Sequence, residues 1–317
     1  MGNRGRVTLE DVAAVAGVSR GTVSNVVRKD PQVGELVRLR VLSAIDKLGY
    51  RPSAVGRNLV SGRTGLVALA IPNFAQPHFA DIARLAVYEA EERDLRLAVQ
   101  QTDNRIERER EISDAWNLGT SDGLIFSPSS ITDDEIESRS AGVELARLAT
   151  RHLVEIGRTR IAMIGDKSFG DENVVSERAA GYRLALADAG LSQPFDIGVV
   201  CDWTRRDGEE AMRVILDHGL PFDAVFCAND LLAVGAMREL RRRGVSVPSD
   251  VAVIGVDDIE DSEFVEPGLT TVAIDRAWIV TKAFEFLSAR LDDPGSPAKQ
   301  VDTPFHLVIR ESTRPRP

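Results

Sequence analysis

No stretch of this 317-residue chain approaches the roughly 18 uninterrupted apolar residues that a membrane-spanning helix needs. A membrane-embedded function is therefore not expected. The opening residues, MGNRGRVTLED, turn polar and acidic at once and lack the apolar core of a secretory signal, so the expected compartment is the cytoplasm. Cysteine is scarce too: Cys201 and Cys227 are the two present, each inside an apolar or strand-like run. They read as buried thiols rather than a disulfide, and two cysteines alone cannot complete a zinc site. Catalytic signatures are also missing. The chain has no phosphate-cradling glycine loop, no Ser-His-Asp spacing and no cluster of metal-ligating residues. His78, Asp257 and Asp258 could do acid–base chemistry, but each has a satisfactory structural role. No enzyme, no cofactor and no metal are expected.

What is present is an ordinary globular composition, 43% hydrophobic, with length for two or three compact units. The net charge of -10 argues against a nucleic-acid partner until the chain is divided. Residues 1–65 hold 11 Lys+Arg against 5 Asp+Glu, a net of +6, and the remainder holds 28 against 44, a net of -16. A basic head on an acidic body suits a protein whose one end meets phosphates while the other is repelled by them.

Within the head, VTLEDVAAVAGVSRGTVSNVV divides into two short helical patterns around a tight turn. Thr8 suits an N-cap, with Asp11 three residues on, near the positive end of the helix dipole. Leu9, Val12, Ala13 and Ala16 recur at helical spacing, and Gly17 stands where a C-terminal glycine turns the chain. Ser19 caps the second helix, whose Val23, Val26 and Val27 face inward. Arg20, Gly21, Thr22, Ser24 and Asn25 are left on the outer side, short polar or basic groups able to reach base edges in a major groove. A third helix, from about Val33 to Leu48, supplies Leu36, Val37, Val41, Ile45 and Leu48 to a small core.

Together with AIDKLGYRPSAVGRNLVSGRTGLVALAIPN, this segment resembles the lactose-repressor (LacI/GalR) family of transcription factors, and the resemblance continues to the C-terminus. It implies a recognition helix carrying Arg20, Gly21, Thr22, Ser24 and Asn25. Asn25 stands where the family usually has arginine, and Arg28, Gly34 and Val37 stand where it favours Asn, Ser and Thr. The resemblance further implies a hinge over Arg51 to Gly62, folding when two subunits meet on DNA. Leu59 matches the leucine wedged into a minor-groove step, which costs a few kcal/mol of unstacking. Arg57 is placed for phosphate, and Pro52 suits helix entry. Gly56 replaces the family's alanine, which weakens a helix by ~1 kcal/mol. The candidate DNA contacts are therefore Thr8, Ser19, Arg20, Gly21, Thr22, Ser24, Asn25, Arg28, Arg57 and Leu59.

From Gly65 onward, short β-branched runs alternate with amphipathic helices, which implies parallel sheets covered on both faces. Ligands of such sheets bind at the carboxyl ends of strands. Polar and aromatic residues there are Asn73, Phe74, Gln76 and Phe79 after GLVALAI, Arg178 after RIAMIG, and Asp202 and Trp203 after DIGVVC. Asn229 and Asp230 follow DAVFCA, and Asp257 and Asp258 follow VAVIGV. An aromatic plate with Arg, Asn and Asp suits a small polar or polyhydroxylated ligand. By resemblance, Arg178, Asn229 and Asp257 match the family's effector pocket between two lobes like those of sugar-binding proteins.

The alternation breaks after DGLIFSP, where a helix from near Thr132 to Ser140 runs straight into AGVELARLATRHLVEIG. Family members carry an extra strand, a loop and an edge strand here, on the order of 25 residues; a parallel pair needs at least about a dozen residues of crossover. The expected fold is thus an N-terminal all-α helix-turn-helix domain (1–50), a hinge (51–64) and a periplasmic-binding-protein-like α/β core (65–317) of two lobes with parallel sheets. Lobe 1 takes about 65–140 and 274–300, lobe 2 about 141–273 and 301–317, and the first lobe is truncated. The expected function is a sequence-specific repressor, homodimeric on pseudo-palindromic operator DNA and controlled by a carbohydrate-like effector. The alternatives are a constitutive DNA-binding protein, if the incomplete lobe senses nothing, and a solute-binding receptor, which would need an export signal and no basic head.

Overall fold

The computed structural model describes residues 7–27, 30–50, 63–127, 141–165, 177–192, 203–297, 299 and 301–314. Contacts divide the chain into one unit over Met1–Gly65 and another over Leu66–Pro317.

The first unit holds α1 (Leu9–Ala16), α2 (Arg20–Val27) and α3 (Glu35–Leu48). Local chemistry sets their ends. The Thr8 hydroxyl accepts from Asp11 N, and the Asp11 carboxylate accepts from Thr8 N at 2.8 Å, a reciprocal cap for α1. Those bonds also hold the Asp11 carboxyl below its ordinary pKa. Gly17, at φ 64°, ends α1 in the left-handed conformation that glycine adopts without steric cost. Thr22 N donates to Ser19 Oγ at 3.1 Å and starts α2. The core is small: Val12, Ala13, Ala16, Val23, Val26, Val41 and Ala44. Leu36 is a correction to the sequence reading, because it is 81% exposed. At 3.6 residues per turn it lies across the helix from Val41, whose face the core uses instead.

Helix α3 opens on Gly34, which gives no side-chain cap, and a Cβ there would meet nothing within 4 Å. Gly34→Ser is therefore expected to stabilise the head by a few tenths of a kcal/mol. Urea unfolding followed by the head's helical signal checks this, and an unchanged or lower midpoint would contradict it.

The second unit contains two sheets. β1 (Leu66–Ile71), β2 (Arg96–Gln101) and β3 (Gly123–Phe126) form a parallel sheet in the order β2-β1-β3. It is served by α4 (Pro77–Glu92) and α5 (Ile106–Asn117). The other sheet runs β4 (Ile161–Ile164), β5 (Ala224–Cys227), β6 (Ala252–Asp257), β7 (Thr270–Ile274) and β8 (Phe305–Val308). Its helices are α6 (Gly142–Glu155), α7 (Glu177–Asp188), α8 (Arg205–Asp217), α9 (Asp230–Arg242) and the short α10 (Glu260–Phe264). The sheet is parallel except at its edge, where β8, returning late in the chain, pairs antiparallel with β7.

A last helix, α11 (Arg276–Asp292), starts directly after β7, yet its Val280 and Phe284 pack with Leu69, Ile71, Ile82 and Ala86 beneath the first sheet. The chain thus passes between the layers at Asp275 and Arg276. Cys227 is a buried thiol in the larger core. Cys201, Asp202, the DIGVVC strand, the helix expected over 132–140 and the hinge over 51–62 lie outside the described residues.

Candidate DNA interface and effector site

On the head, Val23 and Val26 turn α2 inward, which leaves Arg20, Gly21 and Asn25 exposed and Thr22 and Ser24 partly so. Arg20 Nε lies 3.0 Å from Glu10 Oε1, both well exposed, a pair worth little and easily exchanged for phosphate or a base edge. The Ser19 and Thr22 hydroxyls are 2.9 Å apart and bonded to each other. Thr8 and Ser19 hence serve first to set where the two helices begin. Arg28, Arg57 and Leu59 fall outside the described residues.

In the second unit, four of the expected residues meet at the C-terminal ends of β5 and β6. Asn229 caps α9 through Leu232 N at 2.9 Å, and its Nδ2 donates to Trp203 O at 3.1 Å. The Arg178 guanidinium lies 5.1 Å from the centre of the Trp203 ring, a cation–π contact, and donates to Ala228 O. Its Nη2 is 3.6 Å from Asp257 Oδ1. The backbone is strained here: Trp203, Asp257 and Asp258 hold φ at 61°, 114° and 50°, values that side-chain-bearing residues seldom adopt and that concentrate at functional sites.

The residues after β1 are more dispersed. Asn73 Oδ1 accepts from Ala75 N in a local turn, and Phe74 is 46% exposed with its N–H on Gln101 Oε1. Gln76 is the N-cap position of α4, and Phe79 packs into the core under the first sheet.

Other site residues escaped the sequence reading. Arg276 donates from Nε to Asp81 Oδ2 at 2.8 Å, and from its terminal nitrogens to Asp257 O and Asp258 O. It thereby ties α4 of the first layer to the end of β6 in the second. Hydrogen bonds to Arg276 and Arg84 hold the Asp81 carboxyl below its ordinary pKa against partial burial. Arg310 Nη2 pairs with Asp258 Oδ1 at 2.8 Å. His78, read from sequence only as a possible acid–base group, approaches Asp257 from α4 at 3.7 Å.

Beneath them Asp230 is fully buried and accepts from Thr271 Oγ1 (2.7 Å), Ser262 Oγ (2.7 Å) and Ile259 N (3.1 Å). Burial and the neighbouring Asp257 carboxylate push its pKa up to about 7, against those bonds. Recognising TTVAI as β7 would have marked Arg276 as another strand-end residue.

A compact head with an exposed polar helix, followed by two sheets whose strand ends gather arginines, carboxylates and a tryptophan, defines a DNA-binding transcriptional regulator. The chain belongs to the lacI family of bacterial regulatory proteins, whose pattern matches residues 8–53, and a periplasmic-binding-protein-like domain matches residues 150–313. It is 34% identical to the HTH-type transcriptional regulator CelR of Thermobifida fusca over 345 residues, covering 98% of this chain and all of CelR. That alignment is longer than the 317-residue chain, so CelR has positions without a counterpart here.

Among solved structures, the lac repressor dimer bound to operator and the anti-inducer ONPF superposes with a TM-score of 0.86 at 26% identity, covering 97% of this chain and 99% of that one. A CelR–cellobiose complex gives a TM-score of 0.69 at 30% identity, covering 97% of this chain and all of that one. No described helix is long and apolar enough to cross a membrane.

Proposed function

We propose that two copies of this chain repress transcription from a pseudo-palindromic operator, each laying α2 in a major groove, under control of a carbohydrate effector. Arg20, Gly21, Thr22, Ser24 and Asn25 would read bases, each good bidentate contact supplying ~1–3 kcal/mol of discrimination. Thr8, Ser19, Arg28 and Arg57 would position the head, and Leu59 would wedge the minor groove. Asn73, Phe74, Gln76, Phe79, Arg178, Trp203, Asn229 and Asp257 would line the effector site between lobes divided as the sequence suggests. Effector binding would couple to operator affinity by ~1–3 kcal/mol.

The observation that carries this reading is the convergence of Arg178, Trp203, Asn229 and Asp257 at strand ends, with Arg276 joining the two layers above them. The lac repressor dimer with operator and the CelR–cellobiose complex support the dimer and the sugar by similarity.

Gel shifts against an operator selected from random DNA, with and without cellobiose, D-glucose or D-ribose, test it. A shift that responds to one sugar is expected, and Leu59→Ala should weaken specific binding while sparing nonspecific affinity. Sequence preference with no response to any sugar would favour the constitutive reading, which draws on the CelR positions missing here.

A further inference from the structure

Beside the end of β6, three buried polar atoms have no hydrogen-bond partner among the described residues; Asp258 Oδ1 is ion-paired with Arg310 at 2.8 Å, which leaves His78 Nδ1 and Asp257 Oδ1. They face each other at 3.7 Å, beyond the roughly 3.2 Å limit of an N–H···O bond. Arg178 Nη2, at 3.6 Å, is likewise too far from Asp257 Oδ1 to satisfy it. Among the described residues, the arginines around them are already committed to protein oxygens. Arg178 serves Ala228 O, Arg276 serves Asp81 and the carbonyls of Asp257 and Asp258, and Arg310 serves Asp258 and Leu269 O. Asp230 already has three donors.

Resting on the effector reading above, we propose that His78 and Asp257 share one hydroxyl of the effector, making His78 a specificity residue for a neutral, hydroxylated ligand. A hydroxyl oxygen can sit within hydrogen-bond distance of both atoms, donating its proton to Asp257 Oδ1 and accepting from the imidazole N–H. A carboxylate has no proton to give Asp257 at neutral pH, and an anion finds no uncommitted guanidinium among the described residues.

Burial lowers the His78 pKa below its ordinary value, although Asp257 pulls the other way, so the ring is neutral and offers one donor and one acceptor. It is also held in place. Pro77 opens the helix just before it, and Phe79 meets the ring edge-on with centroids 5.0 Å apart. His78 belongs to α4, which packs with the first sheet, and Asp257 ends β6 of the second. A hydroxyl held by both joins the two layers at the ligand, as Arg276 already does beside it.

Calorimetry on the full-length chain with cellobiose and D-glucose, followed by monodeoxy analogues of whichever sugar binds, tests the assignment. His78→Phe keeps a ring against Phe79 but removes the nitrogen, and Asp257→Asn removes the acceptor charge. Each is expected to weaken binding about 10-fold or more, and the double variant little further, because one hydroxyl serves both. His78→Asn, whose amide can reproduce the Nδ1 donor, should recover most of the affinity. One monodeoxy analogue should bind wild type and His78→Phe alike. Sugar binding that His78→Phe leaves intact, or losses from the two variants that simply multiply, would overturn the shared hydroxyl while leaving the effector site standing. Silence of both sugars on the folded wild-type chain, in heat and in the ¹⁵N resonances of its histidines, would overturn the effector reading and this assignment together.

Discussion

Gly235→Ala is expected to destabilise the second unit by about 3 kcal/mol or more, far beyond an ordinary glycine-to-alanine exchange. Gly235 lies in α9 where it crosses α8. A Cβ there would sit well inside van der Waals contact of Arg205 O and 2.7 Å from Glu209 N. From the other helix, Gly208 presses on the Leu232 backbone, 2.7 Å from its Cα if a Cβ were added. Neither obstacle is a side chain that can swing away, so the helices must separate. α9 carries Asn229 and Asp230 at its N-terminal end, so separation would also disturb the proposed effector site. Gly219→Ala is the control. Its φ of 66° makes alanine strained, but nothing lies within 4 Å of the added carbon, and the cost should stay near 1–2 kcal/mol. Urea midpoints compare the two, and equal losses would refute the close crossing.

Asp230→Ala should cost several kcal/mol as well. It would leave the Thr271 and Ser262 hydroxyls and the Ile259 N–H buried without their acceptor, at roughly 1–3 kcal/mol each where no rearrangement rescues them. Asp230→Asn is milder, since its carbonyl can keep Ile259 N while its amide donates to Thr271 Oγ1. The pair also carries a pH signature. The folded-state pKa is raised to about 7 from 3.8, so between those values the folded chain holds a proton that the unfolded chain has lost. The resulting stabilisation is complete below pH 3.8 and declines as pH rises toward 7, by up to about 1.4 kcal/mol per pH unit. The advantage of wild type over Asp230→Asn should therefore shrink between pH 4.5 and 7. A constant gap would mean that Asp230 is ionised in the folded chain throughout.

The parts of this molecule that sequence discloses are those whose causes are local. Thr8 with Asp11, Gly17 and Ser19 set helix ends through bonds spanning three residues or fewer, or through a single φ, so α1 and α2 are readable directly. Val23 and Val26 mark the buried side of α2 by spacing alone. In the core, Arg178, Trp203, Asn229 and Asp257 are legible because parallel strands deliver their C-terminal ends to one place.

The other half of the site depends on pairings that local pattern does not encode. Arg276 meets Asp81 across 195 residues, and Asp230 meets Thr271 across 41. His78 gains its meaning only when α4 is brought against the end of β6. Leu36 shows the opposite error, an apolar residue assigned to the core by type although its helical angle points it to solvent.

In vitro selection from a random DNA pool, followed by anisotropy titration of the full-length chain across about 50 to 200 mM salt, asks most directly whether the head reads DNA sequence. The expected result is an enriched pseudo-palindrome bound at least about 10³-fold more tightly than bulk DNA. Its affinity should fall with salt, and Asn25→Ala and Arg20→Ala should erode its preference more than its nonspecific binding. A pool that enriches no sequence, with all fragments bound alike, would contradict a base-reading role for α2.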